Sequence, residues 1–381
     1  MLSAVNDQQP LKVLIAGAGV AGLEAALALR QLAGERVSTT LLAPGSEFGY
    51  RPMRVREPFA YSAARTYPVN EIAGDIGAEL RQDALKSLDP DQRIVHTEAG
   101  ERLAYDALLL ALGARLHASF EHALVLDDRR MDEQLHGLVQ DVEGGYTHKV
   151  AFLIPTQPAW PLPIYELALM TARRAWDMQV DVSITVITPE DAPLAVFGTA
   201  VSEAVQDLLE EHEILTITSA HAQTTAAGEV SIRPGSRNLH VNRVVALPEL
   251  VGPPVPGVPR SSGGFIPVDA HCRVSGLDRV YAAGDAVDFP VKFGGIAAQQ
   301  ADVAAEAIAA LAGAAVEPAE FHPVISGMLI GGPRPLFMRA DITGGHGTSS
   351  QVSEEPIGSA AKIAAKYLGP YLDARDRAAV S

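Results

Sequence analysis

Gly17-Ala18-Gly19-Val20-Ala21-Gly22 has the spacing of a turn that can cradle a diphosphate. The first glycine permits a sharp turn. The second lets backbone approach phosphate oxygens, and the third lets the following helix pack tightly on the preceding strand. Val20 and Ala21 stand where the first helical N–H groups are free, and the helix dipole adds partial positive charge there. A second chemically capable pair, Gly284-Asp285, lies in the run VYAAGDA at 280–286. A third candidate is Cys272, the only cysteine. One thiol cannot form a disulfide within the chain, a Cys-based zinc site or a two-thiol redox centre. His322 and His346 stand apart in loop-like stretches, so no metal is expected.

These residues need a frame. Residues 12–16 (KVLIA) read as a strand, 21–32 as an Ala/Leu-rich helix and 37–43 (VSTTLLA) as a second strand. That is a βαβ unit of a parallel sheet. The same grammar returns with strands at 149–154 and 182–188 and helices at 164–176 and 201–212. The expected fold class is therefore α/β: two Rossmann-like folds and a small C-terminal region of strands plus a helix. Residues 1–118 and 249–318 are expected to form the first dinucleotide domain, 119–248 the second, and 319–381 a C-terminal interface region. The proline-rich stretch 253–259 is expected at a crossover between folds. Strands are expected near 324–330 and 335–342, and a last helix over 359–372.

The two folds are not equally equipped. A ribose-binding acid is usual at the end of the second strand of such a unit. Here Leu42, Ala43 and Pro44 stand there, and the nearest carboxylate is Glu47. Either Glu47 reaches the ribose, or backbone near Ala43 and Ser46 hold it. In the second fold, Pro155, Pro158, Pro161 and Pro163 replace a glycine loop. Proline has no N–H to donate, and Trp160 adds bulk where a diphosphate would sit. Glu190 ends the next strand but has no cradle beside it. This fold is expected to keep its structure with degraded nicotinamide binding.

The glycine loop, residues 105–115 (YDALLLALGAR) and residues 280–286, in that order, resemble the fingerprints of the two-dinucleotide-domain flavoprotein reductases, the pyridine nucleotide-disulfide reductase superfamily. The likeness covers roughly residues 11–310. It implies FAD as cofactor. It places Gly17, Gly19, Val20, Ala21 and Gly22 on the diphosphate, Asp285 on the ribityl chain and Gly284 near the flavin phosphate. Ala111 and Gly113 then line the same cleft. A helix beginning near Gly295 and Ile296 points at the flavin's pyrimidine edge. Phe48-Gly49-Tyr50-Arg51-Pro52 resembles a loop of sulfide:quinone oxidoreductases and type II NADH dehydrogenases, which places Arg51 and Pro52 at the cofactor. Residues 160–166 (WPLPIYE) resemble a Cys-x-Gly-x-x-Tyr-Glu stretch of the sulfide enzymes, with Trp160 in the cysteine's place.

By the same likeness Lys292, Gln299 and Gln300 lie near the flavin ring. Lys292, Gln299 and Trp160 are thus the candidate catalytic groups. The plainer reading makes Lys292 a solvated loop lysine and the glutamines first-turn polar residues. The implied function is an FAD-dependent oxidoreductase passing two electrons from a small donor to a quinone-like or other acceptor, without a redox disulfide. Two alternatives stand beside it: an NAD(P)H:acceptor oxidoreductase, and a flavin-bearing binding or regulatory protein with little turnover. Cys272, in PVDAHCRV, reads as a core residue.

Composition sets the outer bounds. The 381 residues are 48% hydrophobic and 20% charged, which excludes a disordered or coiled-coil chain. A net charge of −16 argues against a nucleic-acid partner. No apolar run reaches about 18 residues, and the first residues lack a signal-peptide pattern. A cytoplasmic protein is expected, with peripheral contact to the inner face of the membrane as the variant. Ile363, Tyr367 and Tyr371, flanked by Lys362 and Lys366, would make a basic amphipathic stripe on the expected last helix. Such a stripe either lies on a membrane surface or docks on its own domain or on a second copy in a homodimer.

Overall fold

A computed structural model describes residues 9–59, 64–127, 130–156, 160–343, 345–358 and 361–380. Two five-stranded parallel sheets carry the chemistry. In the first, the order is Val280–Ala282, Ala107–Leu110, Leu11–Ala16, Val37–Leu42, Glu79–Arg81. In the second it is Leu124–Val125, Arg243–Ala246, Lys149–Leu153, Ser183–Ile187, Ile214–Ile217. The first sheet starts at its centre, winds outward one way and then crosses to the other side; the second does the same from its central strand Lys149–Leu153, with Leu124–Val125 added at the edge beforehand. That reversal leaves a crevice at the C-terminal end of the central strand, where ligands bind in such folds. The sequence expectation of two Rossmann-like folds is thus met by the same winding twice over.

Burial explains why these segments are strands. Ala107–Leu110 is buried at every position, as a strand covered on both faces must be. Leu11–Ala16 is buried from Val13 onward. The helix Val20–Leu32 packs along the helix Gly294–Leu311 on one face of this sheet. Small residues make that approach close: Ala21, Ala25, Ala28, Ala297, Ala301 and Ala304 are all buried.

Each parallel fold carries a small antiparallel sheet, Leu85–Asp89, Ile94–Thr97 and Arg102–Ala104 in the first, and His221–Ala226, Glu229–Arg233 and Arg237–His240 in the second. The crossings between the folds run side by side, with Arg115–His117 paired antiparallel to Glu249–Val251. The proline stretch follows this crossing and packs back on the first fold, where the Leu88 amide donates to the Pro256 carbonyl at 2.9 Å.

The C-terminal region differs from expectation in two ways. Its sheet has a third strand, His346–Ser353, beside Val324–Leu329 and Leu336–Thr343. The alternating polar run that forms it gave no apolar signal in the sequence. The last helix runs Leu368–Val380, not 359–372; residues 359 and 360 lie outside the described residues. Pro370 explains the shift. Its ring is tolerated in a first turn, but near the end of a helix over 359–372 it would clash with the carbonyl four residues back. The stripe of Ile363, Tyr367 and Tyr371 therefore does not lie on one helix, and the amphipathic-helix reading fails. Lys362, placed at the flank of that stripe, is buried at 4% exposure.

That C-terminal segment is a strap across both folds. The Lys362 ammonium donates to Glu166 Oε2 at 2.7 Å and to the Pro52 carbonyl at 2.9 Å. The Ile363 amide donates to the Tyr50 hydroxyl at 2.9 Å. Glu24, buried in the helix Val20–Leu32, accepts from the amides of Tyr367 at 2.9 Å and Leu368 at 2.5 Å. A carboxylate from another element thus caps the start of the last helix.

Asp302 lies beside Glu24 with one buried carboxyl oxygen that has no hydrogen-bond partner. Burial, then the Glu24 charge, pushes its carboxyl up to about 8. An acid whose folded pKa is raised binds protons that the unfolded chain has released. Stability therefore falls as pH rises from the ordinary carboxylate range toward 8. We expect Asp302→Asn to raise the melting temperature more at pH 8 than at pH 5. An equal shift at both pH values in thermal unfolding would contradict this.

Candidate active site

The glycine loop closes the C-terminal end of the central strand of the first sheet. Gly17 has φ +117°, and a methyl there would stand 2.1 Å from the Ala111 carbonyl oxygen. A methyl at Gly22 would stand 1.9 Å from the Gly17 carbonyl oxygen. These two glycines are required by the protein's own packing. Gly19 is different: a methyl there meets nothing within 4 Å. It caps the helix Val20–Leu32 with no side-chain hydrogen bond. The loop thus presents open space in front of a helix N-terminus whose first N–H groups have no partner within the helix. That is the geometry of an anion cradle, and it fits the diphosphate of FAD.

The rest of the expected cofactor wall gathers here. Ala111, whose amide donates to the Ala16 carbonyl at 2.8 Å, stands beside the loop. Gly113 has φ +67° and open space around a would-be side chain. Gly284 has φ +83°; a methyl there would touch Ala21 and Ala297 at 3.4 Å. The Gly284 amide is held by Gln300 Oε1 at 2.8 Å, which ties the Gly-Asp turn to the helix Gly294–Leu311. Asp285 is half-buried in that turn. Ala43 is buried at the end of its strand and Glu47 is exposed. Arg51 is exposed and Pro52 half-buried at the start of the 3₁₀ run Arg51–Phe59.

Trp160 stacks on Phe293 with ring centroids 4.4 Å apart, and a second ring, Phe197, lies at 6.0 Å. Phe293 is the N-cap of the helix Gly294–Leu311 and makes no side-chain cap. The residues expected near the flavin, Gly295 and Ile296, open that helix. Trp160 is thereby brought to the helix end that sequence reasoning aimed at the flavin. Phe197 had no sequence signal; its burial follows from the fold.

Lys292 and Gln299 are placed differently from one another. The Lys292 ammonium is buried, donates to the Val287 carbonyl and lies 3.7 Å from the centroid of the Phe265 ring. Burial lowers its pKa to about 8, against the opposing charges of Asp285 and Asp288. It is not a solvated loop lysine. The Gln299 amide donates to the Val324 carbonyl at 2.7 Å and the Gly295 carbonyl at 3.0 Å, and accepts from the Val324 amide at 2.9 Å. Its hydrogen-bonding capacity joins the helix to the C-terminal sheet.

The corresponding helix start in the second fold differs. Its helix Leu162–Asp177 has Pro161 as N-cap and Pro163 within the first turn. The Ile164 amide is already taken by the Pro161 carbonyl at 3.0 Å. Pro155 follows the strand; Pro158 lies outside the described residues. Glu190, the ribose-type acid, accepts from the Tyr165 hydroxyl at 2.6 Å and from Thr188 Oγ1 at 3.0 Å. Tyr165 is fully buried. Burial pushes the Glu190 carboxyl up to about 7 despite these bonds. The sequence flagged the acid but not the tyrosine that occupies it.

Among the described residues no cluster of His, Cys, Asp or Glu could hold a metal. Cys272 is 1% exposed, and burial pushes its thiol up to about 12. A thiol that stays protonated and covered is a poor nucleophile. We expect Cys272→Ser to leave flavin turnover essentially unchanged. A large loss with unaltered folding and FAD content would contradict this.

A family model described as pyridine nucleotide-disulphide oxidoreductase matches residues 11–131 and 166–310. The chain belongs to that family. By class it is an FAD-dependent oxidoreductase. The sulfide-quinone reductase of Aquifex aeolicus (strain VF5) is 24% identical over 258 residues, covering 64% of this chain and 59% of that relative's length. The solved sulfide:quinone oxidoreductase from the same organism superposes with TM-score 0.78 at 19% identity, covering 90% of this chain and 87% of that one. A ferredoxin reductase from Rhodopseudomonas palustris gives TM-score 0.67 at 21% identity, covering 87% and 82%. These likenesses fix the shared fold. No helix among the described residues is long and apolar enough to cross a membrane.

Proposed function

We propose that this family member passes two electrons from a small donor to a quinone-like acceptor, through FAD, with no thiol in the path. The observation that carries the proposal is the Trp160–Phe293 stack. It puts two flat apolar rings at the helix end aimed at the flavin, in the place where the resembling sulfide enzymes carry a cysteine. Bound FAD supplies two-electron chemistry. The uncapped helix end at Gly294–Ile296 favours negative charge on the ring beside it. The aromatic rings exclude water and offer a flat apolar partner a stacking surface.

The similarity to a sulfide-quinone reductase supports a quinone acceptor. The buried Cys272 and the absence of any other cysteine oppose sulfur relay. The second fold keeps the winding of a nucleotide-binding domain, which favours NAD(P)H as donor; its prolines and the Tyr165–Glu190 bond oppose that. In this reading Lys292 and Gln299 position the flavin-facing helix and turn rather than touch substrate. The domain division stays as proposed above, with residues 319–381 serving as an interface region across both folds.

The test is re-oxidation of the anaerobically photoreduced protein by a short-chain ubiquinone. Saturable re-oxidation is expected, with Trp160→Ala raising the half-saturating concentration about tenfold or more through loss of one aromatic stacking contact. Quinone-independent re-oxidation, or an unchanged half-saturation in Trp160→Ala, would contradict it.

A further inference from the structure

We propose a second ligand site, for a small organic anion, in a cleft of about 220 Å³ beside the helix Leu162–Asp177 of the second fold. Its walls come from three elements: the 3₁₀ run Arg51–Phe59, the C-terminal half of the helix Leu162–Asp177, and the turn after Val324–Leu329. Arg56, Arg173 and Arg174 line it, with one carboxylate, Asp177. Three guanidiniums around one cleft stand out in a chain of net charge −16.

The site is built for more than charge. Arg173 gives one N–H to the Gly332 carbonyl at 3.2 Å, which holds the planar group in place at the cleft. Arg174 is braced by Glu143 at 2.6 Å. Gly332 is buried where it lines the cleft. Phe59, Met170 and Ile330 give the cleft an apolar floor.

These groups define the ligand. A carboxylate or phosphate suits a braced guanidinium, which binds such oxygens in pairs. The apolar floor asks for a hydrocarbon or aromatic body behind that headgroup. The C-terminal end of the helix brings partial negative charge to the cleft, and Asp177 adds a full one. Arg174 is balanced by Glu143, and Arg173, with no ion pair among the described residues, supplies the charge that offsets them. The cleft shares no residue with the cradle or with the Trp160 stack, so this site stands independently of the proposed reaction.

Titration calorimetry on the FAD-loaded protein, with hexanoate, phenyl phosphate and inorganic phosphate as probes, tests it. One-site binding of at least one organic probe is expected, tighter than inorganic phosphate and weakened by added salt. A preference between hexanoate and phenyl phosphate assigns the headgroup. Arg173→Ala should weaken binding tenfold or more. Asp177→Asn should tighten it severalfold, which a purely structural role for Asp177 would not do. This second variant keeps the test sharp should Arg173→Ala unfold the turn at Gly332. No saturable binding of either organic probe, or affinities unmoved by Asp177→Asn in a folded, yellow protein, would overturn the proposal.

Discussion

Gly19→Val protein should purify colourless, while the wild type is yellow and releases FAD rather than FMN. The two packing glycines, Gly17 and Gly22, cannot report on the cofactor, because a side chain there collides with the protein itself. Gly19 can. A methyl there meets no protein atom within 4 Å, so the apoprotein should fold normally. The cost falls on the ligand, whose diphosphate needs that space and the N–H groups behind it. Losing several charge-assisted hydrogen bonds, each worth about 1.5–3 kcal/mol, is enough to take a tightly held cofactor beyond millimolar affinity. Circular dichroism and chromatography of the released cofactor separate the two effects. FAD retained at wild-type stoichiometry in Gly19→Val would refute the placement of the diphosphate.

Lys362→Ala should be among the most destabilising single changes outside the apolar core. Lys362 and Glu166 pair at 2.7 Å with side chains only 4% and 1% exposed. Removing the lysine leaves a buried carboxylate and the Pro52 carbonyl without their partner. Breaking a buried pair from one side costs about 3–5 kcal/mol, far more than the pair contributes relative to neutral groups of similar size. Burial pushes the Glu166 carboxyl up, with Lys362 pulling it back. Without Lys362 the acid should take up a proton at higher pH. The double variant Lys362→Met/Glu166→Gln keeps an acceptor for the Ile330 amide, which Glu166 now holds at 2.9 Å. It should recover most of the loss. Chemical denaturation of the three proteins checks this. A single variant as stable as wild type, or a double variant no better than the single, would contradict the account.

How much of this was legible in the sequence follows from the range of the interactions. Local signals carried the frame. The glycine loop, its flanking strand and helix, and the buried run at 107–110 are set by neighbours in sequence, and they stand where the pattern put them. The missing cradle of the second fold was equally legible, because a proline lacks its N–H in any setting. Long-range partners were not legible. Glu166 and Lys362 lie 196 residues apart, and nothing in either neighbourhood marks them as a pair. The stripe of Ile363, Tyr367 and Tyr371 misled for the opposite reason. Its spacing suits a helix, yet Pro370 fixes where the helix can start, and the residues before it are drawn into an extended strap by Tyr50, Pro52, Glu166 and Glu24. Glu190 was flagged as a ribose-type acid, but its capture by Tyr165 depends on packing between a helix and a strand end.

The most direct test of the central claim is anaerobic stopped-flow reduction of the bound flavin by NADH and NADPH at physiological concentrations. Hydride transfer needs the nicotinamide held in near-contact with the flavin, and that needs an anchored diphosphate. With Pro161 and Pro163 in place of donors, and Glu190 held by Tyr165, slow and non-saturating reduction is the expected result. Rapid, saturable bleaching at micromolar nucleotide would contradict it and make the protein a nicotinamide-driven reductase.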